Sequence, residues 1–223
     1  MTNSLAVSRP QLSDEVASYL RQAIMAGELV SGQSVRADAL GELLSVSATP
    51  VREALHSLRA EGFLELVPRK GFTVARIVAQ DIRDIFEVHA LIAGELAARA
   101  ATQATKEQIA ELGAIHHELM AAAYRGDNEA LEEKNHLFHQ QVYRTSDSRR
   151  IHWALSIFTK YVPRRFYAEI EGWPMTTAAD HSAVIDGISR HDPDSARSAM
   201  ADHVRNAGEL LASHFERRAL DHR

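Results

Sequence analysis

A mainly helical chain of 223 residues, with one small β-hairpin near its front, is predicted by three observations. Apolar residues recur at three- and four-residue spacing over most of the length. Two short alternating runs, FLELV and FTVARI, flank PRKG between residues 63 and 77. From residue 79 onwards the helical periodicity is interrupted only by short stretches, ATQAT, RGDN, TSDS, EGWPM and HDPD.

Taken in order, the first helix covers residues 11–26, with Val16, Tyr19, Leu20 and Ile24 on one face and Gly27 as its stop. A turn at SGQS leads to a short helix over 37–44, whose apolar residues are Ala39, Leu40, Leu43 and Leu44. SVSAT interrupts it, and a further helix begins near Thr49. Ser47 or Thr49 is placed to cap that helix, and Pro50 suits its first turn, where a missing N–H costs no intrahelical bond. Gly62 ends it, and the hairpin follows with Gly71 near the tip. The front is therefore three helices and a β-hairpin, expected as one unit over residues 8–77. Helices over 81–101, 106–124, 128–145, 148–170, 178–190 and 194–218 fill the rest. Their breaks are short and capped by Thr, Asp or Ser, as antiparallel neighbours require, so an all-α antiparallel bundle is expected over 78–220.

Composition removes several function classes. No run approaches the roughly 18 apolar residues that cross a membrane, and MTNSLAVSRPQ lacks a basic segment followed by an apolar one, so no membrane association and a cytoplasmic location are expected. The chain has no cysteine, which excludes disulfides, thiolate zinc sites and cysteine nucleophiles. A metal must use His, carboxylate or amide ligands. The net charge of −5 is uneven: residues 1–76 hold eight Arg/Lys and eight Asp/Glu, leaving 17 against 22 behind them. A neutral front still binds DNA if its cations share a face.

In VSATPVREALHSL, turning Val51, Ala54, Leu55 and Leu58 inward leaves Thr49, Arg52, His56 and Arg59 outward as one polar stripe. A helix of this size fits the major groove, where Arg bonds guanine bidentately and Thr or His reaches base edges or phosphates. Arg69 and Lys70 of the hairpin are placed to meet a phosphate backbone or a minor groove. The plainer alternative pairs Arg52 and Arg59 with Glu53 or Glu61 as solvated charges. The run from Gly27 to Gly32, followed by ADALGELLSVSATPVREALHSLRAEGFLELVPRKGFTVA, resembles the winged helix-turn-helix of GntR-family transcriptional regulators over nearly all of residues 11–76. The resemblance implies that Thr49 and Arg52 contact DNA and that Gly71 is the wing glycine. It also marks a departure: the family commonly has Arg where this chain has Ala48.

The helical segment carries a histidine pattern. Asn135 and His139 lie four residues apart in EEKNHLFHQQ, a spacing that puts both on one helix face and can chelate one ion. His181 begins HSAVIDGI, and His203 sits mid-helix in MADHVRNA. Three imidazoles and an amide oxygen suit Zn2+, with Ni2+ and Mn2+ as competitors, and leave coordination positions for water or a small organic acid. The alternative is chance, since 12 histidines put several on helix faces. In length and helical content, residues 79–220 are similar to the FadR-type ligand-binding domain called FCD. That resemblance implies an acidic residue or Asn followed by three His, here Asn135, His139, His181 and His203. The family often has Arg at the place of His89 and Glu near Ala93, which implies an effector-binding role for His89 with weaker, pH-dependent hold on an anion. Arg164 and Arg165 in YVPRRFY offer replacement cations, set against their reading as a solvated pair after Pro163. Tyr161, Phe166, Tyr167 and Trp153 are either pocket lining or core.

Three His and a water also suit a metal-dependent hydrolase or lyase. That class lacks support: there is no HExxH, no GxSxG, no phosphate-binding loop, and no second carboxylate evident beside the three His. A helical scaffold would leave the wing and the polar stripe idle. The expected protein is a homodimeric regulator, a repressor without enzymatic activity, that binds double-stranded palindromic DNA and responds to a small carboxylate.

Overall fold

A computed structural model describes residues 9–163, Tyr167 and residues 172–221. The chain divides into two compact units, residues 1–77 and 78–223. Nine α-helices and one three-stranded antiparallel sheet occur among the described residues.

In the first unit, α1 (Arg9–Ala26) ends at Gly27, which takes φ +74. Its buried face is Val16, Ala17, Leu20, Ala23 and Ile24; Tyr19, expected among them, lies at the edge of that stripe and is 44% exposed. Strand β1 (Ser34–Val35) was not foreseen, since two residues hold no period. It pairs with β3 (Gly71–Val74), which in turn pairs with β2 (Leu64–Val67), giving the order β1-β3-β2. Leu66 opposes Phe72 and Glu65 opposes Thr73.

Helix α2 (Ala37–Leu44) closes at Ser45, whose φ is +56, and α3 (Ala48–Ala60) starts after two further residues. The tight turn between them brings the Val46 N–H to the Gly41 carbonyl at 2.9 Å. A Cβ on Gly41 would stand 2.8 Å from the Val46 carbonyl oxygen, so only glycine admits this turn. Ser47 occupies the cap position of α3 without a side-chain cap bond, and Thr49 lies inside the helix rather than capping it. Val51, Leu55, Leu58 and Phe63 are fully buried and join the seam from α1.

The second unit is α4 (Ala79–Gln103), α5 (Lys106–Arg125), α6 (Asn128–Thr145), α7 (Arg149–Phe158), α8 (Trp173–Ser189) and α9 (Pro193–Asp221). The helix expected over 148–170 stops at Phe158 and passes into a single 3-10 turn, Thr159–Tyr161. Pro163 explains the stop: its ring disfavours the α region for the residue before it, and Val162 is extended at φ −86, ψ 109. Proline has the opposite effect at Pro174. There it lies in the first turn of α8, which begins five residues earlier than the expected 178.

Alanines line the buried face of α4, with Ala90, Ala93, Ala97, Ala100 and Ala101 all within 0% exposure, and let α9 approach closely. A Cβ on Gly208 would fall 2.5 Å from the Cβ of Phe86, so this glycine sets how near α9 lies to α4 at that level. Phe86 and Val204, from these two helices, both reach the cavity described below.

Candidate functional site

Two sets of side chains carry chemistry, one in each unit. On α3 the inward positions Val51, Ala54, Leu55 and Leu58 are at most 1% exposed, while Thr49, Arg52, His56 and Arg59 are exposed on the other side. Arg52 and Arg59 form no ion pair among the described residues. Glu61, their alternative partner, is held instead by Arg21 at 2.6 Å and by the Ser57 hydroxyl at 3.0 Å. His56 meets Phe72 of β3 edge-on, with ring centroids 5.1 Å apart. This contact fixes the stripe to the sheet, a link invisible to helix periodicity. Arg69, Lys70 and Gly71 are exposed at the β2–β3 turn, where Arg69 takes φ +67 and Gly71 φ +78.

The second set lies among helices. Asn135 and His139 share a face of α6, His181 comes from the middle of α8, and His203 from α9. His139 Nε2 lies 3.1 Å from His203 Nε2, and donor atoms of His139, His181 and His203 all fall within 4.8 Å of one another. The ring of His181 stacks on Phe138 at 3.8 Å with only 14° between planes.

These atoms are not satisfied by the protein. Both ring nitrogens of His181, at 0% exposure, and the Asn135 Oδ1 are buried with no hydrogen-bond partner. Leaving such a group unpaired costs about 1–3 kcal/mol. Desolvation holds the His139 and His181 imidazoles well below the usual 6.5, so both are neutral at pH 7, and neutral imidazole is the form that binds a metal. Nitrogens bound to one ion at about 2.0–2.1 Å stand about 2.8–3.4 Å apart for bond angles between square and tetrahedral, and the 3.1 Å pair falls in that interval. The residues present thus fit a divalent ion.

Two contacts behind the imidazoles escaped the sequence reading. The His203 Nδ1–H donates to Asp180 Oδ2 at 3.1 Å, and the Tyr143 hydroxyl lies 3.3 Å from His139 Nδ1. A carboxylate therefore does stand beside the three His, contrary to expectation. Tyr143 was within reach of helix arithmetic, four residues after His139. Asp180 was not, because its partner lies 23 residues away on another helix.

A cavity of about 590 Å³ opens against this cluster, bounded by Asn135, His139 and His203 and by Phe86, Tyr143 and Trp173 among others. His89 also lines it, 6% exposed, with Nδ1 unpartnered. Burial pushes this imidazole down to about 4, with His203 adding to the shift. At neutral pH it carries no charge, and protonation that would strengthen a hold on an anion comes only in acid. Of the aromatic candidates, Tyr167 lines the cavity and stacks on Trp173 at 5.6 Å, whereas Trp153 is 65% exposed. Arg164, Arg165 and Phe166 lie outside the described residues.

Residues 84–206 match the family model of the FCD domain, and residues 12–74 match that of the bacterial regulatory proteins of the gntR family. A probable D-xylose utilization operon transcriptional repressor of Paenarthrobacter nicotinovorans is 26% identical over 205 residues, 90% of this chain and 89% of its own. The HTH-type transcriptional regulator McbR of Escherichia coli is 29% identical over 136 residues, covering 61% of this chain and 62% of its own. A solved structure of E. coli McbR/YncC superposes with a TM-score of 0.72 at 22% identity, over 94% of this chain and 100% of that one. That likeness concerns the fold. No described helix is long and apolar enough to cross a membrane.

Proposed function

This chain belongs to the GntR family of bacterial regulators with a C-terminal FCD domain and is a DNA-binding transcriptional regulator, not an enzyme; from that premise we propose that it is a homodimeric repressor controlled by a small carboxylate bound beside a divalent ion. The reading assigns DNA binding to residues 8–77 and effector sensing to residues 78–220. The observation that carries it is the meeting of His139, His181 and His203, of which His139 and His203 line the cavity, together with the buried, unpaired nitrogens of His181.

In this reading Asn135, His139, His181 and His203 hold the ion, Zn2+ before Ni2+ or Mn2+. When bound, the ion supplies a Lewis-acidic position for a carboxylate oxygen. His89 gives a neutral hydrogen bond to the rest of the ligand, and Tyr143 and Trp173 close the cavity sides. Arg164 and Arg165 are proposed as further cations for the effector. The three imidazoles come from α6, α8 and α9, so a ligand that shifts their geometry acts on three helices at once. Such a ligand changes DNA affinity only through unequal affinity for the two states of the protein.

In the first unit, Thr49, Arg52, His56 and Arg59 read base edges and phosphates, and Arg69, Lys70 and Gly71 bring the wing to the backbone. Two copies related by a twofold axis match the halves of a palindromic operator. Ala48 puts a methyl group where the family commonly carries Arg, so the operator is expected to differ from the family's usual site.

The test combines metal analysis of purified protein with anisotropy of labelled DNA from upstream of its own gene, titrated with a panel of small mono- and dicarboxylates. One divalent ion per chain is expected, with at least one acid shifting operator affinity about 5–150-fold and the shift lost in His139→Ala. Absence of stoichiometric metal, or a response that survives His139→Ala, sinks the metal-coupled mechanism.

A further inference from the structure

We infer that Asp180 is a positioning residue for the metal centre, supplying from behind His203 the negative charge that Asn135 does not bring to the ion itself. The inference rests on the metal reading above. Among the described residues, Asp180 is the one carboxylate hydrogen-bonded to any of the three imidazoles. It stands next to His181 in α8, so one helix delivers both a ligand and the group that orients another ligand on α9.

The geometry fixes what Asp180 does. Its Oδ2 accepts the Nδ1–H of His203 at 3.1 Å, which assigns the ring proton to Nδ1 and leaves the Nε2 lone pair directed at the cluster, 3.1 Å from His139 Nε2. His203 is 6% exposed on its side chain and Asp180 23%, so the pair is only partly screened by water. An imidazole that donates to a carboxylate is a stronger base at its other nitrogen, and that nitrogen binds a cation more tightly.

The three imidazoles are supported unequally. His203 has a charged acceptor, His139 has the neutral Tyr143 hydroxyl at 3.3 Å, and His181 has the face of Phe138 with neither nitrogen hydrogen-bonded. With Asn135 neutral, the ligand set of one amide and three imidazoles carries no negative charge. Asp180 is then the carboxylate that reaches the ion through a hydrogen-bonded ligand, His203. Its loss should weaken metal binding more than loss of the Tyr143 hydroxyl.

The experiment compares wild type with Asp180→Asn, Asp180→Ala and Tyr143→Phe as full-length protein. Three quantities are read: Zn2+ affinity by competition with a chromophoric chelator, the visible absorption of the Co2+-loaded protein, and the melting temperature without metal. The expected result is about 10–100-fold weaker Zn2+ binding and a shifted Co2+ spectrum for both Asp180 variants, with a smaller loss for Tyr143→Phe. Asn preserves the shape and an acceptor oxygen, so Asp180→Asn isolates the charge even if Asp180→Ala folds poorly. Unchanged Zn2+ affinity and Co2+ spectrum in Asp180→Asn overturn the assignment, including when the metal-free melting temperature falls, since a packing role would give that pattern. A wild-type protein that binds no stoichiometric Zn2+ removes the metal reading itself, a separate outcome.

Discussion

On α3 the candidate functional side chains stand outside, and in the helical unit they stand inside. Thr49, Arg52, His56 and Arg59 are exposed above a seam where Val51, Leu55 and Leu58 are fully buried, and neither arginine is ion-paired among the described residues. His181 by contrast is fully buried with both nitrogens unpaired, His89 is 6% exposed with Nδ1 unpaired, and His203 is 5% exposed with its nitrogens bonded to His139 and Asp180. A surface reader leaves its cations solvated until a polyanion arrives, at little cost to folding. An interior sensor keeps polar atoms in the core without partners and bears that cost until a ligand supplies them. Stability should therefore be insensitive to the reader and sensitive to the sensor.

The largest expected effect is on acid stability. For His89 the folded value of about 4 lies below the unfolded 6.5. The unfolded chain thus binds the proton first, and the stabilising contribution is complete above pH 6.5 and lost as pH falls toward 4. That displacement is worth about 3 kcal/mol, and the depressed values at His139 and His181 act in the same direction. Metal-free protein should accordingly need progressively less urea to unfold between pH 6.5 and 4.5. Trp153 and Trp173, the chain's two tryptophans, both lie in the helical unit and report on it by fluorescence. A midpoint independent of pH across that window would break the contrast between the two regions.

A sharper comparison comes from His181→Leu, which removes two unpaired nitrogens while roughly keeping the volume against Phe138. Metal-free stability should rise by about 1–3 kcal/mol as bound metal is lost, the opposite of an ordinary core substitution. A fall in metal-free stability would show that those nitrogens are satisfied within the protein. On the reader side, Arg52→Ala should weaken operator binding about 10–100-fold by anisotropy while changing folding stability by no more than about 0.5 kcal/mol. Equal operator affinity would remove Arg52 from the reading face.

Much of this was legible in the sequence where the signal is local and periodic. The bounds expected for α2 and α6 are those observed, and the inward and outward faces of α3 follow from three- and four-residue spacing alone. Proline misled twice because its effect depends on position. Pro163 ended a helix that periodicity carried through it, and Pro174 lies within a helix that was expected to start after it. Strand β1 is too short for any pattern and exists because β3 offers it a free edge.

The sequence by itself determined the helix-turn-helix with its wing, the polar stripe on α3 and the family that they and the following helices resemble, because each depends on neighbours within a few turns of chain. Only the tertiary structure decided that His139 and His203 approach within 3.1 Å, that Phe138 stacks on His181, that Asp180 stands behind His203 and that His89 is buried and uncharged. Those relations join different helices, whose separations depend on contacts such as Gly187 against Ala196 between α8 and α9 and Gly208 against Phe86 between α9 and α4, distances that no sequence period encodes.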